Sequence, residues 1–147
     1  MTETRPGTPY ADVQAEFGRP TMTCALNDGR LRAIWSQQPF GQYAWGTNIG
    51  ADGRVGPVVQ ILDDKVFEQL SDGVWDAARV QCEFGPPADI DGVGLPGNIK
   101  TVWSYRYKQY GVWNSMMYVF FNPDTNIVID HYPGPDPMFM YDDSWLW

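Results

Sequence analysis

The chain has 147 residues, is 44% apolar, and carries a formal charge of −8 with a pI near 4.4. That length suits one compact domain or two small units sharing a core. The acidic balance excludes nucleic acid and anionic membrane surfaces as main partners, because phosphate binding needs clustered Lys and Arg, and no stretch reaches the ~20 apolar residues of a membrane helix.

The first predicted element is a helix, with Thr8 as its cap and Pro9 at the first helical position. Tyr10, Val13 and Phe17 have helical spacing; Gly18 ends the helix and Pro20 prevents its continuation. Extended segments are predicted over about 21–26, 31–37, 42–49 and 55–62. They are separated by the turns Asn27-Asp28-Gly29, Pro39-Phe40-Gly41 and Ala51-Asp52-Gly53. Residues 63–70 read as a short helix with acidic residues in its first turn. Ser71-Asp72-Gly73 breaks it, and a second helix over 75–84 ends at Gly85-Pro86-Pro87. Extended segments follow at about 88–93, 100–107, 115–122 and 127–131. The prolines of Pro133-Gly134-Pro135-Asp136-Pro137 then predict an extended tail. That tail finishes Trp145-Leu146-Trp147, an apolar end expected to dock on the body or to make an intermolecular contact.

The chain also repeats itself. Val13, Gln14, Glu16, Phe17, Gly18 and Pro20 recur 67 residues later as Val80, Gln81, Glu83, Phe84, Gly85 and Pro87. A fixed-offset repeat identifies the structural unit. Each unit reads as a helix followed by a meander of three or four antiparallel strands. The expected fold is therefore α+β: two tandem helix–antiparallel-sheet repeats, 6–62 and 63–132, forming one curved sheet with helices packed on one face. Residues 133–147 make a Pro-rich C-terminal tail.

Candidate chemistry is sparse. Cys24 falls on a predicted strand and Cys82 on a predicted helix, without Cys-x-x-Cys spacing. Two buried free thiols are the favoured reading and a single disulfide is the alternative. His131 is the chain's one histidine, beside Asp130, and any Ser-His-Asp or Cys-His arrangement would have to use it. Its plainer reading is a strand-end surface residue. The carboxylate pairs Asp63-Asp64 and Asp142-Asp143 read as a helix-start charge and tail solvation. Glycines fall at turns, with neither Gly-x-Gly-x-x-Gly nor a P-loop. No catalytic residue, no cofactor and no metal are expected.

The aromatic residues are the better lead. Alternation puts Trp103, Tyr105 and Tyr107 on one face, and Val102, Ser104 and Arg106 on the other. It pairs Tyr43 with Trp45, and separates Tyr118 and Phe120 from Met117, Val119 and Phe121. One sheet face must form the core beneath the helices and takes many of these rings. Large apolar groups on both faces of 100–107 and 115–122 point to a second contact surface. Trp and Tyr are enriched at binding hot spots.

The pattern Gly7…Val13…Phe17-Gly18-Arg19-Pro20 with Trp35, and again Gly73…Val80…Phe84-Gly85-Pro86-Pro87 with Trp103-Ser104-Tyr105-Arg106-Tyr107, resembles the SmpA/OmlA (BamE-like) family of bacterial outer-membrane lipoproteins. The later strand Tyr118-Val119-Phe120-Phe121-Asn122 fits that family's last hairpin. The tandem arrangement is similar to the β-lactamase inhibitory proteins, whose fold sets two such units side by side on one curved sheet. The resemblance covers about residues 6–132. It implies a non-catalytic, membrane-tethered binding or scaffold protein at the periplasmic face of the outer membrane. Met-Thr-Glu-Thr-Arg-Pro holds no apolar h-region, which is read either as a cytosolic protein or as a removed targeting segment. The resemblance implies the second, with signal segment and lipid anchor in a removed leader. The expected site is an open concave sheet face lined by Trp45, Trp103, Tyr105, Tyr107 and Tyr118, holding a protein partner of the cell envelope. The alternative is a proteinaceous enzyme inhibitor. A third reading is a small hydrolase using His131.

Overall fold

The structure is a computed structural model that describes residues 1–140, so Asp142-Asp143 and Trp145-Leu146-Trp147 lie outside the described residues. Helix α1 (Tyr10–Phe17) begins at Pro9 without a side-chain cap. The Thr8 hydroxyl, expected to cap it, instead donates to the Arg5 carbonyl at 2.6 Å. The helix start is held by backbone bonds from Tyr10 N–H to the Gly53 carbonyl and from Val55 N–H to the Thr8 carbonyl, each 2.9 Å. Sheet one follows as a meander of β1 (Met22–Ala25), β2 (Leu31–Ser36), β3 (Ala44–Ile49) and β4 (Val59–Gln60).

The predicted helix at 63–70 is α2 (Asp64–Phe67), capped by the Asp63 carboxylate and continued as a 3-10 turn over Glu68–Ser71. Helix α3 (Ala77–Phe84) is capped by Asp76, whose carboxylate accepts from Arg79 N–H at 2.8 Å. Sheet two is a second meander of β5 (Asp89–Val93), β6 (Lys100–Gln109), β7 (Trp113–Phe121) and β8 (Val128–Pro135). Strand β8 carries the sheet through Pro133 and Pro135, which pair with Met117 and Ser115. The sheet therefore runs past the expected boundary at residue 132. Prolines are tolerated there because β8 is an edge strand, where a missing N–H breaks no outer ladder. Asp136 then caps a 3-10 turn, Pro137–Phe139, accepting from Met138 N–H at 2.9 Å.

The fold is thus α+β, with short helices and two four-stranded antiparallel sheets. Where one curved sheet was expected, the hydrogen bonding resolves two. Strand β5 pairs with β6 only as far as Ser104. Beyond it, the Gln38 side chain takes the free backbone of β6: it accepts from Arg106 N–H at 2.9 Å and donates to the Arg106 carbonyl at 2.7 Å. The next residue of that loop, Pro39, has no N–H to offer a ladder.

Two cores explain the layering. In the first, Val13 of α1 meets Ala33, Trp35, Ile49 and Val55, with Tyr10 and Phe17 alongside. In the second, Ile34 and Ala44 of sheet one join Phe67 of α2, Val80 and Phe84 of α3, and the inner face of sheet two. Neighbouring strand residues point to opposite faces. Ala33 and Trp35 therefore face α1 while Ile34 faces the second core, and β2 is buried from Arg32 to Trp35. The helices do not share one sheet face.

Cys24 lies on that second face of sheet one and is joined to Cys82 of α3 in a disulfide, with Cα atoms 5.9 Å apart. The favoured free thiols are therefore corrected. The reason is tertiary: the last turn of α3 packs on this face, where Arg32 donates to the carbonyls of Cys82 and Glu83, both at 2.7 Å. Strand and helix periodicity do not reveal that proximity.

Candidate binding surface

The alternation along β6 holds, but its aromatic face points inward. Tyr105 and Tyr107 are 0% exposed. The Tyr105 hydroxyl donates to the Gly85 carbonyl at 2.8 Å, and the Tyr107 hydroxyl to the Asp64 carboxylate at 2.9 Å. Burial pushes both phenol pKa values well up, and the neighbouring Asp64 carboxylate adds to the rise at Tyr107. Trp103 packs on Phe121, ring centroids 4.8 Å apart, at the margin of the same core. Trp45 stands on sheet one, opposite Trp35, and stacks on Tyr43 at 6.2 Å. Of the five expected site residues, Tyr118 alone lies on the outer face of sheet two.

The five therefore do not converge on one open surface. Helices cover the face that buries the most apolar area, and a tyrosine can join that face when its hydroxyl finds a partner. Gly85 and Asp64 are those partners here.

The outer face of sheet two is a different surface. Cross-strand partners share a face, so one row runs Asp89, Ser104, Tyr118, Tyr132 and the next Asp91, Val102, Phe120, Asp130. Tyr132 lies 5.0 Å from Phe120 in a stacked arrangement and 6.3 Å from Tyr118 edge-on. Gly134 lets the Tyr118 ring lie close: a Cβ at position 134 would stand 2.9 Å from Cε2 of that ring. Val102, Met116 and these rings line a cleft of about 400 Å³. Burial, together with the Asp136 carboxylate and Tyr132, raises the Tyr118 pKa.

One end of the face is closed by a charge pair. Arg106 donates twice to the Asp136 carboxylate, at 2.6 and 3.2 Å, and Asp136 is buried. The same guanidinium also donates to the Pro39 carbonyl. Both edge strands have an N–H occupied by the preceding aspartate: Gly92 by Asp91 and His131 by Asp130, each at 2.8 Å.

Periodicity already placed Phe120 beside Tyr118. Tyr132 was missed because the predicted strand stopped at residue 131, one short of it.

His131 lies within β8 rather than at a strand end, and its Nε2 is 3.0 Å from the Ser71 hydroxyl. Among the described residues no carboxylate bonds the other ring nitrogen; Asp130 takes the His131 backbone N–H instead. The pair ties β8 to the 3-10 turn after α2. Both cysteines are held in the disulfide. Among the described residues no group of three or more His, Cys, Asp or Glu could hold a metal ion, and no helix is long and apolar enough to cross a membrane.

A second exposed feature sits at loop tips. Phe40 is 77% exposed, Tyr110 73% and Trp113 64%. Their loops are joined by a hydrogen bond from Gln42 to Asn114 at 2.8 Å. Set against family models, curated proteins and solved structures, the chain matches none.

Proposed function

We propose that this chain is a non-catalytic protein-binding module of the cell envelope, holding its partner on the outer face of sheet two. The observation that carries this reading is a four-stranded sheet face bearing Tyr118, Phe120 and Tyr132 side by side, on which, among the described residues, no α-helix packs and only Pro137 of the final 3-10 turn borders the cleft. Sheets of this kind ordinarily present polar residues to water. Tyr132 is half exposed and Tyr118 and Phe120 are partly exposed beside it, and aromatic area of this sort at a surface marks an interaction site.

Two features support the envelope setting. The Cys24–Cys82 disulfide suits an oxidising compartment such as the periplasm. Helices α1 and α3 are each eight residues, and both end on a glycine at φ 82° that bonds back to a glutamine carbonyl, Gln14 or Gln81. That correspondence supports a tandem of two BamE-like helix–sheet units, and with it a lipid-anchored scaffold at the periplasmic face of the outer membrane.

Photo-crosslinking tests the surface. A photoreactive phenylalanine analogue is placed at Tyr132 and, as a control, at exposed Val59 of sheet one, and each protein is irradiated in envelope extract. Adducts to a discrete protein at Tyr132 and none at Val59 are expected. Equal labelling at both positions, or none at Tyr132, rejects the reading.

The inhibitor reading keeps one observation in its favour. Phe40 and the Tyr110–Trp113 tip protrude together, as a wedge entering an enzyme cleft would. A panel of β-lactamases assayed with micromolar protein tests it, and full residual activity rejects it.

A further inference from the structure

The outer face of sheet two is aromatic along its middle and acidic along both sides. Asp89 and Asp91 stand on one edge strand and Asp130 on the other, in the same cross-strand rows as Tyr118, Phe120 and Tyr132. The three carboxylates are exposed, and among the described residues none is paired with a cation. Of the cations that β6 places on this face, Arg106 is already engaged by Asp136. Lys100 and Lys108 stand at its two ends, outside the rows that carry Asp89, Asp91 and Asp130, and among the described residues neither forms an ion pair with them. Aromatic ring faces and unpaired carboxylates attract the same ligand chemistry, a cation with an apolar stem.

The way a partner can approach is restricted. Asp91 and Asp130 occupy backbone N–H groups on β5 and β8, and Pro133 and Pro135 remove two more from β8. Such edges resist an added strand. The partner therefore lies across the face instead of extending the sheet.

We infer that the outer face of sheet two binds a basic, extended polypeptide segment in which two arginines or lysines flank an apolar residue. This rests on the reading that this face is the contact surface. Asp91 and Asp130 sit three inter-strand gaps apart, roughly 14 Å at about 4.8 Å per gap. An extended segment crossing the strands rises about 3.3 Å per residue, so its two cations stand four residues apart. The residue midway between them points to the same side and lands on the partly exposed Phe120 ring, over the buried Val102. Arginine suits the ends better than lysine, since its planar group stacks on Tyr132 and pairs two-fold with a carboxylate.

The test uses the whole chain and a synthetic capped peptide, Gly-Arg-Ser-Leu-Ser-Arg-Gly, with a counterpart carrying Glu for both Arg. NMR follows the ring resonances of Tyr118, Phe120 and Tyr132, and calorimetry gives affinity. Saturable shifts confined to those rings are expected with the basic peptide and none with the acidic one. Affinity should fall about tenfold between about 0.05 and 0.5 M NaCl. The triple variant Asp89→Asn, Asp91→Asn, Asp130→Asn should also weaken it about tenfold, while its unchanged melting curve shows that the fold is intact. Binding of both peptides alike, binding indifferent to the triple variant, or no binding overturns the inference. If the basic peptide fails while Tyr132 still crosslinks in extract, the surface stands and the partner is not basic. If crosslinking fails as well, both fall. Crosslinking of Tyr132 to a second copy of this chain also overturns the basic segment.

Discussion

Helices α1 and α3 have equal length and the same closing glycine geometry, yet Phe17 at the end of the first is half-buried while Phe84 at the end of the second is wholly buried. The difference lies in what surrounds them. Helix α1 covers one face of sheet one and belongs to a small core. Helix α3 touches both sheets: its Cys82 and Glu83 carbonyls take Arg32 of sheet one, and Phe84 packs on Tyr105 of sheet two at 6.0 Å. Even the glycine carbonyl that ends each helix is bonded by a different donor. Gly18 takes the Trp35 indole at 2.9 Å and Gly85 the Tyr105 hydroxyl at 2.8 Å. A short local sequence thus sets how a helix stops, and tertiary context sets how much that helix is worth.

The comparison can be broken at several points. Phe84→Ala should cost about 3–5 kcal/mol and Phe17→Ala roughly 1–2, because only the former empties a closed core site. Urea melts of the two variants measure this, and equal losses would erase the contrast between the halves. Next is the covalent tie. Replacing Cys24 and Cys82 together by alanine should lower stability by about 2–4 kcal/mol, since the bond closes a loop with a sequence separation of 58. Melting the unaltered protein with and without a thiol reductant should reproduce that loss.

Tyr105→Phe leaves the Gly85 carbonyl without its partner and should cost about 1–2 kcal/mol. It also bears on alkaline stability. Tyr105 and Tyr107 keep their protons in the fold well above the ordinary value of 10.0, because burial disfavours the phenolate. A raised native pKa gives a contribution that is complete below about pH 10 and is lost as pH climbs above it, where the unfolded chain ionises and the folded chain resists. Denaturation midpoints measured from about pH 8 to 11.5 should stay level and then drop. The drop should be smaller in Tyr105→Phe, and a flat profile throughout would contradict the burial. The smallest effect is at the helix starts. Asp76→Ala removes the cap of α3 and should cost about 1 kcal/mol, whereas α1 begins at Pro9 with no side-chain cap to lose.

Much of the architecture was legible because it is local. Periodicity, turn glycines and helix stops placed most strands to within a few residues, though 55–62 shrinks to Val59–Gln60 and β8 runs on to Pro135, and the echo of Val13–Pro20 in Val80–Pro87 located helices α1 and α3. The site was harder. Alternation along β6 correctly grouped Trp103 with Tyr105 and Tyr107, but parity says only that they share a face and not which face the helices cover. Trp and Tyr suit a core and an interface equally well, so residue type did not break the tie. Cys24 and Cys82 illustrate the same limit, because their proximity depends on how α3 sits against the far side of sheet one. Tyr132 escaped for a simpler reason: Pro133 and Pro135 discouraged extending β8, although an edge strand accommodates them.

The Gln38 amide has a consequence for how this fold can grow. One side chain occupies the backbone slot that a longer β5 would need, offering Arg106 the same donor and acceptor a neighbouring strand would. Sheet two is thereby given a fixed width at that point. Extending β5 at its N-terminal end, ahead of Asp89, would set the new strand residues in competition with Gln38, and their success would dislodge the loop that carries Pro39 and Phe40. Variation in hairpin length is free at the solvent end of sheet two and is checked at the seam, so lineages of this chain should accumulate insertions around Gly94–Gly97 and resist them near Ala88.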